Sequence, residues 1–202
     1  MAIRMRARGL VTAAVAAALL AVASGSEAVA VEWRPRPGMV YLSDMPKDGT
    51  TWYGVPAARG WRSPACGRSW PVPEVNVWSR SVSTSETASG GQTTVVFQTE
   101  AEAIAFAAYA RQVYADCPTN RDDSPDTIET AYDYGAVDVE EGATVQGMRV
   151  TYTFNDNHHN HLFGVGRDGD TVTLIEWESN WSAPPVDYFK SVTVKNVVNR
   201  LY

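Results

Sequence analysis

The stretch HLFGVGRDGDTVTLIEWE (161–178) constrains the fold more than any other part of the chain. Two apolar runs flank Asp168-Gly169. An Asp-Gly pair between such runs predicts a two-residue β-hairpin, with Arg167 and Asp170 at the strand ends. A tight hairpin commits its strands to run antiparallel, so the sheet built around it is antiparallel too.

Further strands follow from the period-two pattern. VNVWSRSVS (75–83) and TTVVFQ (93–98) are separated by a Ser/Thr/Gly-rich turn. TIETAYDY (127–134) alternates Ile128, Thr130, Tyr132 and Tyr134 on one face. VQGMRVTYTF (145–154) alternates Met148, Val150, Tyr152 and Phe154. Between these pairs, residues 99–117 change to a helical period. Thr99 and Glu102 form a T-x-x-E capping box, the body is rich in alanine, and Phe106, Tyr109, Ala110, Val113 and Cys117 share a face. Pro118 ends the helix. A second helix is expected over 185–201, although its interior valines and Thr193 are poor helix formers. The order β-β-α-β-β-β-β-α predicts an α+β domain over 61–202, with a mainly antiparallel sheet and two helices packed on one face. Residues 31–60, rich in Pro, Gly and polar residues, read as an extended arm whose apolar segment Met39 to Leu42 docks on the domain.

The first 30 residues follow another logic. Arg4, Arg6 and Arg8 precede an apolar run from Leu10 to Val22, and Ala28 and Ala30 offer an A-x-A cleavage site before Val31. This is the pattern of a secretory signal peptide, and the apolar run is short for a membrane span. The chain has 17 basic and 23 acidic residues; three arginines and one glutamate lie in the first 30, so the remaining 172 residues carry a net charge of −8. Such a chain is repelled by phosphate backbones, so nucleic acid is not an expected partner. An exported chain with two cysteines, Cys66 and Cys117, is expected to pair them structurally. Their wide separation does not suit a redox C-x-x-C pair.

The arrangement of these segments resembles a known family. A cysteine follows the arm in SPACG, a strand runs into VVFQTEAEA, and the helix closes on a second cysteine in YADC. Several strands, the GVGRDGDTVTLIEW hairpin and a final helix complete it. Over roughly residues 38–202 the layout is similar to the PknH-like extracellular sensor domain of actinobacteria, which also occurs as a free secreted protein. The resemblance implies an α+β domain, a disulfide from the pre-strand segment to the helix end, and a cleft for an extracytoplasmic ligand. Kinase-linked members carry a second disulfide, for which this chain has no further cysteines.

All three histidines lie in NDNHHNH (155–161). On a strand, His159 and His161 point the same way, and Asp156 or His158 offers a third ligand. Every candidate lies in one short polar segment, so the expectation is a plain turn with no metal. Glu176 and Glu178 flank Trp177 on one strand face. They cannot enclose a sugar between them as a glycosidase pair does, and a solvated hairpin face is expected. The chain has no G-x-S-x-G elbow and no Gly-rich phosphate loop, so no catalytic residues and no cofactor are expected. Aromatic side chains supply the candidate ligand surface. Trp61, Trp70 and Trp181 lie in irregular segments. Tyr132, Tyr134 and Tyr152, with Phe154, would form an aromatic floor where they face away from the helices, walled by the arm and the 179–185 loop. Otherwise they are core.

The expectation is therefore a secreted, non-enzymatic, sensor-like domain of the cell envelope. Its partner would be an extracytoplasmic small molecule, lipid or glycan, and no part of it would span a membrane. The rival readings are an envelope-polymer hydrolase and a secreted interaction or inhibitor module.

Overall fold

The computed structural model describes residues 33–47, 49–66, 70–73, 76–120, 126–155, 157–180 and 183–202. The segment read as a signal peptide lies outside them. Eight strands form one antiparallel sheet: β1 (Trp52–Gly54), β2 (Ala58–Arg59), β3 (Val77–Thr84), β4 (Ala88–Val96), β5 (Thr127–Val137), β6 (Ala143–Tyr152), β7 (His158–Asp168) and β8 (Thr171–Ser179). Their order is β1-β3-β4-β8-β7-β6-β5, with β2 pairing with β3 as well. The helix α1 spans Glu100–Ala115. A C-terminal helix is built from an α-helical turn Val186–Tyr188, a π segment Phe189–Val194 and a turn Lys195–Val198. The α+β class, the antiparallel sheet and the two helices agree with the sequence.

Local chemistry sets the boundaries. Thr99 Oγ1 accepts from the Glu102 N–H at 3.3 Å and Glu102 Oε2 accepts from the Thr99 N–H at 3.1 Å, the reciprocal cap that starts α1. The β7–β8 turn centres on Gly169 and Asp170, one residue later than expected, because Asp168 pairs with Thr171. Glycine takes the left-handed turn position, φ +55°. In β5 the register shifts between Asp133 and Gly135, with Gly135 at φ +76° and its N–H donating to Asp133 Oδ1 at 2.9 Å. This is a β-bulge of the kind that glycine permits.

The expectation that both helices lie on one face is corrected. On β8 the even-numbered Val172 and Leu174 pack in one core with Phe106, Ala110 and Tyr114 of α1. The odd-numbered Ile175 and Trp177 pack in a second core with Phe189, Val194 and Leu201. Alternate residues of a strand point to opposite faces, so the helices cover opposite faces. The central strands β4, β8 and β7 are buried on both sides, and a sheet with two apolar faces must have both covered. Close approach of the C-terminal helix needs glycine: a Cβ on Gly164 or Gly166 would lie 2.6 Å from Val194 Cγ2 or 2.2 Å from Val198 Cγ2. On α1, the buried tyrosine is Tyr114, while Tyr109 is 37% exposed and reaches Trp70 edge-on.

The arm is more than a docked apolar segment. Arm and domain belong to one compact unit, Val31–Tyr202. Met39, Val40, Met45 and Trp52 are buried, and β1 and β2 extend the sheet. Gln92, fully buried, accepts from the Val40 N–H and donates to the Gly38 carbonyl at 3.1 Å. Arg200 forms a forked pair with Asp44 at 2.8 and 3.0 Å, and the Thr193 hydroxyl donates to the Asp44 carbonyl at 2.6 Å. Cys66 and Cys117 are joined with Cα atoms 5.3 Å apart, as expected, fastening the segment after β2 to the end of α1. Among the described residues no helix is long and apolar enough to cross a membrane.

Candidate functional site

The face that carries α1 changes character along its length. At the helix it is apolar: Tyr114, one residue before the helix end, stacks on Phe163 with ring centroids 4.5 Å apart. Past the helix end the same alternation presents His161 and His159 on β7, and Glu176 and Glu178 on β8. The register sets His161 opposite Glu178 and Phe163 opposite Glu176. The 61–66 segment, held by the disulfide, lies over Glu176.

Glu176 is 8% exposed and fully engaged. Oε1 accepts from the Ala65 N–H at 3.0 Å and the Tyr114 hydroxyl at 3.1 Å. Oε2 accepts from the Arg62 guanidinium at 2.8 Å. Gly91, opposite Glu176 on β4, leaves the room: a Cβ there would lie 3.0 Å from Arg62 Nη1. Burial pushes the Glu176 carboxyl above the ordinary glutamate range, while Arg62, the Ala65 N–H and the Tyr114 hydroxyl pull it back. Burial likewise pushes the Tyr114 phenol well above its usual value, reinforced by the charge and hydrogen bond of Glu176 and opposed by Arg62. The expectation of a solvated hairpin face therefore fails for Glu176. Its strand is central, and the disulfide-held segment covers this side.

Glu178 is different. Its side chain is about one-third exposed, one oxygen accepts from the Ser89 hydroxyl, and Oε2 lies 3.4 Å from His161 Nδ1 and 3.7 Å from His159 Nε2. The two imidazoles have centroids 4.3 Å apart. His161 is buried, 4% exposed, and its ring lies parallel to Phe163. A cavity of about 170 Å³ is lined by Arg62, Ser63, Ala65, His161, Glu176 and Glu178. A second, of about 410 Å³, is lined by Tyr152, Phe154, Asn157, His159 and Asn180 among others. His159, His161 and Glu178 thus stand between two hollows.

The turn reading of NDNHHNH is corrected as well. The described turn residues are 153–155, and all three histidines lie in β7. His158 points to the opposite face, its Nδ1 3.3 Å from the Thr151 hydroxyl. Asp156 lies outside the described residues. The partner missed in the sequence is Glu178, which arrives from the next strand and not from the same segment. Its signal was available: a glutamate in a strand that is apolar on both sides needs a polar neighbour.

The aromatic candidates do not form one floor. Trp70 is buried among Trp61, Phe106, Tyr109 and Tyr114, so it anchors the core under α1, with Trp61 packed against it. Tyr152 is on this face too, paired with Thr127, and lines the larger cavity beside Phe154. Tyr132 pairs with Gly147 and stacks on Tyr134 at 5.9 Å on the other face. There Tyr134 lies 2.6 Å from where a Gly147 Cβ would stand. Trp181 lies outside the described residues.

Fold and site together define a disulfide-clamped α+β domain with a polar cleft at one end of an otherwise apolar sheet face. Compared with family models, curated proteins and solved structures, the chain matches none.

Proposed function

We propose that the chain is an exported, non-enzymatic, sensor-like domain that binds a small polar ligand of the cell envelope in the cleft beneath the 61–66 segment. One observation carries this reading: five ionisable side chains, Arg62, His159, His161, Glu176 and Glu178, converge at the end of a sheet face whose remainder is packed core. Concave sites with a few convergent polar groups are the usual form of small-molecule sites. Arg62 is already tied to Glu176, so the groups that face a ligand are Glu178 and the two imidazoles. They favour a cation or a hydrogen-bond donor. Glu176 has three donors on its two oxygens, an arrangement that holds a wall together and does not free a base for hydrolysis. Export is supported by the N-terminal sequence pattern and by a disulfide, which suits an oxidising compartment. The layout that resembles actinobacterial sensor domains points the same way.

The test is a thermal-shift series on the purified protein with a muropeptide, anionic lipid micelles and divalent metal ions, repeated with Glu178→Gln. A ligand at 100 times its Kd stabilises by about 2.7 kcal/mol. The expected result is a rise in Tm with at least one probe in the parent protein, much reduced in the variant. Equal rises in both proteins, or none with any probe, overturn the reading. Release of products from polymeric peptidoglycan would instead favour a hydrolase.

A further inference from the structure

We propose that His159, His161 and Glu178 form a three-ligand site for a divalent transition-metal ion of the zinc class; this rests on the cleft being the ligand site. The argument begins with the strand period. Residues 159 and 161 share a face of β7, and the register brings Glu178 of β8 directly opposite His161. Two imidazole nitrogens and one carboxylate oxygen thus come from adjacent strands, with candidate donor atoms all within 4.8 Å of one another.

The separations are longer than those of a close ion pair. A good charge-assisted hydrogen bond is about 2.7–2.9 Å long. Here two nitrogens approach the same oxygen, Glu178 Oε2, at 3.4 and 3.7 Å. Zinc binds imidazole nitrogen and carboxylate oxygen at about 2.0–2.2 Å in a tetrahedron, whose edges are then about 3.4 Å. The two nitrogen–oxygen separations lie near that edge.

The surroundings match a ligand set. The second oxygen of Glu178 is held by the Ser89 hydroxyl, the kind of outer contact that orients a ligating carboxylate. Val150 and Met148 sit opposite His159 and His161 on β6, and Phe163 lies along His161. These apolar neighbours limit the ring positions and exclude water from one side. The other side opens to the cavity that His159 lines with Asn157 and Asn180. That opening leaves a fourth position for water or for an atom of an incoming ligand. A donor set of two nitrogens and one oxygen suits zinc, cobalt, nickel or copper, whereas calcium and magnesium take oxygen ligands.

The experiment uses untagged protein stripped with chelator and titrated with Zn²⁺ by calorimetry and with Co²⁺ by visible absorption. One equivalent of each should bind, and the cobalt complex should show the intense bands of tetrahedral coordination. His159→Ala and Glu178→Gln should each weaken Zn²⁺ binding on the order of 100-fold, and Ser89→Ala on the order of 10-fold, the scale of outer-contact losses. His158→Ala, next to the ligand His159 in sequence but on the opposite face, should bind as the parent does. Thermal midpoints without metal establish that each variant folds, and the near-isosteric Glu178→Gln preserves the packing. Absence of one-equivalent Zn²⁺ binding overturns the metal assignment, as does binding that survives both ligand substitutions or falls equally in His158→Ala. A muropeptide titration run in parallel separates the two readings. If it shifts Tm in the parent but not in Glu178→Gln while zinc fails to bind, only the metal assignment falls. If neither probe acts through Glu178, both fall.

Discussion

Each face of the sheet buries a carboxylate against an arginine, and the two pairs do different work. On the face of the C-terminal helix, Asp44 is 4% exposed. Its oxygens accept from the Tyr41 N–H at 2.8 Å, from both Arg200 terminal nitrogens, and from Asn196 at 3.3 Å. Every donor there comes from the arm, the C-terminal helix or the turn just after it, so the pair is a latch joining the start of the domain to its end. On the α1 face, Glu176 is as fully engaged, yet two residues further along the same face Glu178 points at two imidazoles and an open hollow. A closed polar centre specifies which segments meet. The one beside it borders two hollows, where a molecule from outside the chain has room.

Breaking the disulfide should have the largest effect. Cys66→Ser with Cys117→Ser frees a loop with a sequence separation of 51; the loop-entropy relation gives a loss of up to ~4 kcal/mol, read from denaturant unfolding. Because the bridge holds the 61–66 segment over Glu176, ligand binding in the cleft should weaken with it, while backbone resonances of the arm stay in place. If the arm melts and the cleft does not, the two centres have been assigned the wrong roles.

Arg200→Met should come next, at about 3 kcal/mol, since it leaves the Asp44 carboxylate buried without its cation. The loss should appear as faster hydrogen exchange in residues 39–45 and at the C-terminal helix. Zinc or ligand binding at Glu178 should not change. A matching loss of cleft binding would show that the two faces are coupled.

Tyr114→Phe removes the hydroxyl that donates to Glu176, at a cost of about 2 kcal/mol for a hydrogen bond to a charged group. It also tests pH dependence. The folded protein holds the Tyr114 phenol well above its usual value, whereas in the unfolded chain it titrates near about 10. A group whose folded pKa is raised contributes stability in full below the unfolded value and loses it as pH rises toward the folded one. Stability should thus fall as pH rises above about 10, and Tyr114→Phe should lose part of that alkaline slope. An unchanged slope would show that other tyrosines carry it.

The smallest effect is expected for His158→Ala. Its side chain is exposed on the opposite face, and a change within about 0.5 kcal/mol is typical of such positions. A larger loss would mean that the start of β7 is held by more than its strand pairing.

Features that depend on near neighbours along the chain could be read from the residues alone. The T-x-x-E cap, the alanine-rich helix, the alternating strands and the glycine in the β7–β8 turn are local events. The cysteine pair was legible from its number and context. Faces were not. Tyr132 and Tyr152 both alternate cleanly within their own strands, but pairing of β5 with β6 sets Tyr152 against Thr127 and Tyr132 against Gly147, placing the two tyrosines on opposite sides. The helices divide in the same way, because a central strand that is apolar at consecutive positions offers both faces and does not say which helix takes which. The site depends on a still finer choice. A turn centred on Asp168-Gly169 would set His161 opposite Glu176, whereas the observed turn at Gly169-Asp170 sets it opposite Glu178. Both registers keep the same residues on the same face, so a period of two cannot distinguish them. Only the packed sheet, with Arg62, Tyr114 and the Ala65 N–H gathered on Glu176, decided which glutamate the chain uses internally and which it leaves beside the histidines.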